Sequence, residues 1–339
     1  MVKKILHGEN PYQAPAYLVS KQKNIDPLAV GSFKQLSGEL PCYTSLADLD
    51  CIINTIAKMS CAFKKNFKKI PFICIAAKHG NPCGSAIDWN NPDATIEKAL
   101  WTDPLAIWGG EVITNFKIEK KQADLLFLSN KRKKMFGNAA WMLDVIASPE
   151  FSQEAVEILG KRPQRKLFKN PALTTPSLPK DKQIQRQVRG GFLKQPPPNY
   201  VLDLKEIDWL SKPLKNAKDI DSLIIAWAAA YTSNHGGNEV ALAKNRQLIG
   251  IGGGPSTIEA TRIAVSRAQN NNFNPINSVF VADAFFPYTD GPELLVKNKC
   301  KGGLVPAGGK NEPQVRKYFR SKNVLMGFIP EKYRGFCRH

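Results

Sequence analysis

The sequence predicts a mixed α/β protein, and three observations carry the prediction. Short continuous apolar runs alternate with amphipathic segments of helical period along the chain, as expected of strands buried in a sheet with helices laid on its faces. Glycine and proline punctuation falls between these segments. A length of 339 residues exceeds one typical module and suits two domains of ordinary size.

The elements follow in order. "IPFICIAA" (70–77) reads as a buried strand, "ATIEKALW" (94–101) as a helix and "GGEVITN" (109–115) as a strand. Residues 137–160 carry interrupted helical periodicity. Residues 161–187 are polar, basic and proline-punctuated, which reads as a surface excursion. The proline triplet 196–198 is semi-extended and marks a junction between domains 1–198 and 199–339. In the second half, "DIDSLIIAWAAAY" (219–231) reads as a helix with aspartate at its start. "EVALAK" and "QLIGIGG" read as a strand pair around a turn at Asn245. Residues 256–271 read as a helix opened by a capping box of Ser256 and Glu259. Segments 278–286, 302–309 and 324–329 complete the set as strands. The halves share this layering, but no sequence repeat between them is visible.

Composition narrows the function. With 43% hydrophobic and 23% charged residues the chain reads as a soluble globular protein. No apolar stretch reaches the roughly 18 residues that span a bilayer, and "MVKKILHGENPYQ" lacks the apolar core of a secretory signal. Seven scattered cysteines give no disulfide framework and suit a reducing cytoplasm. A net charge of +19 favours anionic partners. The basic runs "KKNFKK" and "KRKK" hold a single aromatic, Phe67, and lack the series of interleaved aromatics that stack on bases, which argues for solvated helix faces over a nucleic-acid groove.

The stretch "AAKHGNPCGSA" (76–86) holds one of only four histidines beside a lysine, at the end of an apolar run. A strand ending in Lys78-His79 delivers two proton-handling groups to a sheet edge, where α/β proteins place their sites. His79 can act as general base and Lys78 can stabilise developing negative charge; a structural histidine is the alternative. "GIGGGPSTIEATR" (250–262) sets glycines between a strand and a helix N-terminus, a generic anion-binding arrangement that a tight structural turn explains equally. It is no dinucleotide fingerprint, because position 255 is proline. "VADAFFPYTDG" (281–291) gathers aromatics and carboxylates around a proline turn, which suits a flat heterocycle with N–H donors or a hydrophobic staple. "HGNPC" echoes zinc deaminases, but position 81 is asparagine and no P-C-x-x-C follows, so no metal site is expected.

Together these segments resemble the transformylase part of the bifunctional purine-synthesis enzyme, which joins aminoimidazole carboxamide ribonucleotide (AICAR) transformylase to inosinate cyclohydrolase. "GENPYQ" is similar to the family's G-x-N-P-H-Q, "KHGNPCG" to K-H-x-N-P-C-G, and "TDPLAIWGG" to T-D-P-x-S-A-F-G-G. "GGFLKQ" is similar to G-G-x-L-x-Q, "AKNRQLIGIGGG" to A-K-N-G-Q-x-I-G-I-G-A-G, and "DAFFPYTD" to D-A-F-F-P-F-R-D. The ending "YRGFCRH" resembles R-x-F-R-H. Seven such matches occur in order along nearly the whole chain.

The resemblance implies two cytidine-deaminase-like α/β domains in tandem, a cytoplasmic homodimer, and formyl transfer from 10-formyltetrahydrofolate to the AICAR amine without a metal. It implies His79 as base, Lys78 as its assistant, and Asn238, with Asn234 as fallback, as amide donor to the oxyanion. It gives Phe285, Tyr288 and Asp290 to a folate pocket and Arg334 to the nucleotide phosphate; Asp103, Gly109, Gly110, Gly252 and Gly253 join the binding set. The family's phosphate-gripping arginine and tyrosine are Leu6 and His7 here, and its G-A-G-Q-x-S-R loop is "GGGPST", shorter and without arginine. Lys301, Lys310 or Arg262 are the candidates to replace them. No cyclohydrolase segment is recognised, so ring closure is not expected. Two other readings stand: a diverged transferase with another acceptor amine, and a non-catalytic basic homologue that binds nucleic acid.

Overall fold

The computed structural model describes residues 2–20 and 26–335. A small ribbon of β1 (Val2–Ile5) and β2 (Ala16–Val19) precedes β3 (Lys34–Ser37). The first half continues with α1 (Tyr43–Phe67), the hairpin β4 (Phe72–Lys78) and β5 (Asn81–Asp88), α2 (Pro92–Thr102), β6 (Gly110–Thr114), α3 (Lys120–Phe127), α4 (Asn130–Phe136), β7 (Leu143–Ser148), α5 (Gln153–Leu159) and β8 (Lys166–Lys169). An exposed hairpin of β9 (Ile184–Val188) and β10 (Gly191–Gln195) separates it from the second half. There follow β11 (Asp208–Trp209), α6 (Ala217–Ala230), the hairpin β12 (Asn238–Lys244) and β13 (Gln247–Gly254), α7 (Thr257–Asn270), β14 (Val279–Ala282), α8 (Asp290–Lys297), β15 (Gly302–Pro306), α9 (Glu312–Ser321) and β16 (Leu325–Ile329). No helix among the described residues is long and apolar enough to cross a membrane.

Among the described residues one mixed sheet of 12 strands runs through both halves, in the order β11-β16-β15-β14-β12-β13-β5-β4-β6-β7-β8-β3. The halves repeat one topology. In each, an antiparallel hairpin is followed by an antiparallel strand, two parallel additions and a closing antiparallel strand. The repeat extends to detail: the bulge between Ala76 and Ala77 has its counterpart between Leu242 and Ala243. Both hairpins turn through two residues of positive φ, His79 (52°) and Gly80 (69°) in one, Asn245 (52°) and Arg246 (66°) in the other. These hairpins are the repeat that the sequence concealed, since K-H-G-N and K-N-R-Q share a backbone path and little else.

Local chemistry starts and stops the elements as expected. Asn91 caps α2 by accepting from the Asp93 and Ala94 amides, with Pro92 at the first helical position. Ser256 accepts from the Glu259 amide at 3.2 Å to start α7, the Ser half of the expected box. Two expectations fail. Residues 137–160 are not helical throughout: "LDVIAS" is the buried strand β7, and helix begins only after Ser152. Period alone cannot tell a short buried strand from a helix. Nor is 161–187 all surface. Leu167 and Phe168 are buried in β8, and the buried Arg165 guanidinium donates to the carbonyls of Leu143, Leu159 and Trp141. A polar residue satisfied by backbone carbonyls belongs to the core despite its charge.

The apolar groups bury in an unequal way. On one face α1 and α6 pack together over both halves as a single core, from Leu49, Ile52 and Ile56 to Leu223, Ile224 and Trp227. A buried contact at 2.8 Å between the Thr55 and Thr232 hydroxyls joins α1 to the turn that follows α6. On the other face there are two cores, one under α2, α3 and α5, the other under α7, α8 and α9. The gap between those two cores lies over the seam of the sheet.

Candidate active site

At the seam, β5 and β13 run antiparallel, yet among the described residues Gln247 and Ala86 form their one ladder pair. Beyond it the strands part. A cavity of about 280 Å³ occupies the split, lined by Asn81 and Cys83 from β5, Ile249, Gly250 and Ile251 from β13, and Arg267 from α7. Lys78, His79, Thr102, Asp103 and Ala106 close one side, His235 and Asn271 the other. The seam is pinned by side chains. Thr102 donates to the Leu248 carbonyl at 2.8 Å and Gln247 to the Lys98 carbonyl at 2.8 Å. Asp221 takes both Arg246 Nε at 2.7 Å and Trp89 Nε1 at 3.0 Å, tying the second hairpin to the first half.

Lys78 and His79 meet the cavity from the end of β4. The Lys78 ammonium donates to the Gly109 carbonyl at 2.7 Å. Gly109 has a φ of +67°, and an added Cβ would lie 2.9 Å from that ammonium. Gly110 starts β6 with its Cβ position filled by the Ala77 carbonyl, so both glycines are demanded by close backbone approach. His79 holds a left-handed conformation that costs a non-glycine residue about 1 kcal/mol or more, a strain characteristic of functional positions. Asp103 accepts from the Ala106 amide at 3.0 Å, which orders the loop below.

Two acids stand behind this pair. Burial pushes the Glu111 carboxyl well above the usual range, and the charge of Asp48 adds to it. Burial also raises Asp48, against the lowering charge of His79 and a hydrogen bond with Glu111. Both carboxyls are thus raised by burial beside Lys78, each acting on the other. Cys83 is no nucleophile: desolvation raises its thiol, which donates to the Ala76 carbonyl at 3.6 Å.

Across the cavity, His235 Nδ1 lies 2.8 Å from Glu239 Oε2, and its backbone amide donates to Oε1 of the same carboxylate. Glu239 is fully buried, and its own amide donates to Asp283 Oδ1 at 2.7 Å. Arg267 Nη1 donates to the Ile251 carbonyl at 2.9 Å and approaches His235 Nε2 at 3.4 Å. Sequence reasoning missed Asp48, Glu111, His235, Glu239 and Arg267. The legible signal was an acid inside an apolar strand, in "GEVIT" and "NEVAL".

The other expected residues fall elsewhere. Asn238 opens β12 and donates to the Gly254 carbonyl at 3.3 Å, outside the cavity lining; Asn234 reaches the wall through its backbone amide, which donates to Asn81 Oδ1 at 2.7 Å. The glycine run is strand up to Gly254, just before the start of α7. Gly252 and Gly253 lie inside β13, where Cβ atoms would meet α7 and the Glu239–His235 pair. Phe285, Tyr288, Asp290 and Arg334 cluster around the ends of β14, β15 and β16, apart from the cavity. There Arg334 lies 6.0 Å from the Phe285 ring and donates to the Gly308 carbonyl, and Asp290 accepts from the Gly291 amide at 2.7 Å. Lys301 is engaged by Asp219 at 2.8 Å, and Arg262 and Lys310 are exposed. Residues 336–339 of the terminal motif lie outside the described residues.

A basic cavity with a strained lysine–histidine turn at the seam of a doubled α/β sheet is the kind of site that group-transfer chemistry uses. The chain belongs to the AICARFT/IMPCHase bienzyme family, whose model matches residues 1–267. It is 31% identical over 323 residues to the bifunctional purine biosynthesis protein PurH of Fusobacterium nucleatum, covering 95% of this chain and 57% of that protein. It is 28% identical over 331 residues to PurH of Buchnera aphidicola, covering 97% and 57%, and 27% identical over 335 residues to PurH of Prochlorococcus marinus, covering 98% and 60%. The chain thus spans under two thirds of the length of these relatives.

Proposed function

We propose that the chain is a folate-dependent formyltransferase that moves a formyl group from 10-formyltetrahydrofolate to the 5-amino group of AICAR. The observation that carries the reading is the placement of Lys78 and His79 side by side on the seam cavity. The acceptor amine is a weak nucleophile, because its lone pair is delocalised into the imidazole. As its nitrogen bonds to the formyl carbon, His79 takes the proton it releases. Lys78, steered by Gly109, faces the oxyanion that forms on the formyl oxygen. Collapse breaks the bond to the folate nitrogen, which takes up a proton from the Lys78–His79 pair. The amide donor is Asn238 or Asn234; Asp103 lines the wall, Gly109 and Gly110 set the approach of Lys78, and Gly252 and Gly253 let α7 and the Glu239–His235 pair close on β13. Phe285, Tyr288, Asp290 and Arg334, which lie apart from this cavity, form the folate and phosphate contacts where a second subunit brings them to it. No metal enters this scheme, and ring closure is not assigned to these residues.

The repeated topology supports two tandem cytidine-deaminase-like units, divided near residue 198. A cytoplasmic homodimer fits the reading. The ribbon of β9 and β10 supports the dimer by holding Phe192 and Leu193 at the surface, 58% and 63% exposed. A different acceptor amine is favoured by one observation: Leu6, at the position of the family's phosphate-binding arginine, is 51% exposed and carries no charge.

The test is formyl transfer by the purified protein with a His79 variant as control. Turnover lost in the control supports the reading. Folate binding without turnover on AICAR points to the second acceptor. Neither turnover nor folate binding overturns both.

A further inference from the structure

We propose that Arg267, backed by His235 and its buried anchor Glu239, is the oxyanion-binding arm of the seam cavity, receiving a phosphate or carboxylate group of the substrate. The inference rests on the formyltransferase reading for its ligands, but not for its chemistry. Among the described residues Arg267 makes no ion pair. Its guanidinium meets the Ile251 carbonyl at 2.9 Å and, at 3.4 Å, His235 Nε2. A guanidinium has five donors and no acceptor, so most of its capacity is left for a ligand in the cavity it lines.

His235 is built to hold that arm in place. Its Nδ1 faces the acceptor-only carboxylate of Glu239 at 2.8 Å, so Nδ1 carries the hydrogen. Nε2 is thereby turned toward Arg267 and the cavity, the relation in which a carboxylate fixes the tautomer and orientation of a functional imidazole. Glu239 cannot swing away, since it is fully buried and also receives the His235 amide. Gly253 has no room for a Cβ because that carboxylate and the His235 Cβ occupy the space. The charges lining the cavity agree: Lys78 and Arg267 face one carboxylate, Asp103, which is already engaged by a backbone amide. The residues proposed from sequence to replace the family's lost arginine do not line this cavity, whereas Arg267 does.

Binding calorimetry on the full chain tests the inference with Arg267→Gln, the charge-keeping Arg267→Lys, and His235→Gln, each checked for an unchanged melting profile. The ligands are AICAR, its phosphate-free riboside, the reduced folate and inorganic phosphate. Loss of one charge-assisted contact predicts that Arg267→Gln weakens one of the two anionic ligands about 10- to 100-fold. Arg267→Lys and His235→Gln should fall between it and the native protein, with the riboside unaffected. Weakened AICAR binding identifies a phosphate at the arm; weakened folate binding with AICAR unchanged identifies the glutamyl carboxylate. Equal binding of both ligands by Arg267→Gln and the native chain overturns the inference. The phosphate arm decides independently of turnover. In a protein that binds neither AICAR nor the folate, phosphate binding abolished by Arg267→Gln upholds the arm. Phosphate bound equally by both proteins, or by neither, overturns it.

Discussion

The ammonium of Lys78 donates to the carbonyl of Gly109 at 2.7 Å, across the edge where β4 and β6 lie side by side. One backbone oxygen therefore aims the lysine at the cavity, and it does so from a residue whose φ of +67° only glycine adopts freely. Gly109→Ala strains the backbone by about 1 kcal/mol and sets a methyl group against the ammonium. Formyl-transfer rate should fall about tenfold or more while the melting temperature moves by only a few degrees, which parallel kinetics and calorimetry will show.

His79 combines a chemical and a conformational demand. Its φ of +52° suits asparagine better than alanine, so His79→Asn separates the two. Stability should stay within about 0.5 kcal/mol of the native protein. The rate should drop about a hundredfold to ten-thousandfold, the range expected for loss of a general base. A rate within a few-fold of native would remove His79 from the reaction.

Asp283 gives a pH signature. Burial pushes its carboxyl up to about 8, and the charge of Glu239 adds to this against the backbone amides that lower it. The folded chain thus keeps a proton that the unfolded chain releases near the ordinary value of 3.8. This contribution is fully present below that value and declines as pH rises through the interval to about 8. Urea midpoints at mildly acidic, neutral and mildly alkaline pH should fall in that order. Asp283→Asn, still able to accept the Glu239 amide, should flatten the trend.

Asp221 is the hinge-pin of the seam. Its side chain is 3% exposed and holds Arg246 and Trp89 together. Asp221→Ala leaves the Arg246 guanidinium poorly compensated and should cost about 3 kcal/mol in chemical denaturation. Asp221→Asn should cost less, because an amide oxygen still accepts from both donors.

How much of this was legible before the fold was known depends on the kind of signal. The central strands β4, β6, β12 and β13 announced themselves, since a buried sheet demands continuous apolar runs. Lys78 and His79 stood out because charge at the end of such a run is costly without a task. The segment at 143–148 misled because six apolar-rich residues fit either period. Arg165 misled because its partners are backbone carbonyls, which leave no mark in sequence. His235 and Arg267 stayed hidden for a different reason. They lie 156 and 188 residues beyond His79, and only the antiparallel meeting of β5 and β13 brings them to the same cavity.

That meeting has one more consequence. Strands that separate within a sheet leave facing rows of backbone donors and acceptors without a ladder between them. On a protein surface such an open edge is a hazard, because any passing strand can zip onto it. Here the edge has been turned indoors, between the α2 and α7 walls, where a polypeptide cannot follow. What remains is a slot of about 280 Å³ between two strand edges, with the Leu248 and Ile251 carbonyls already met by Thr102 and Arg267. The molecule keeps the gap of a broken sheet and rations entry to it by size.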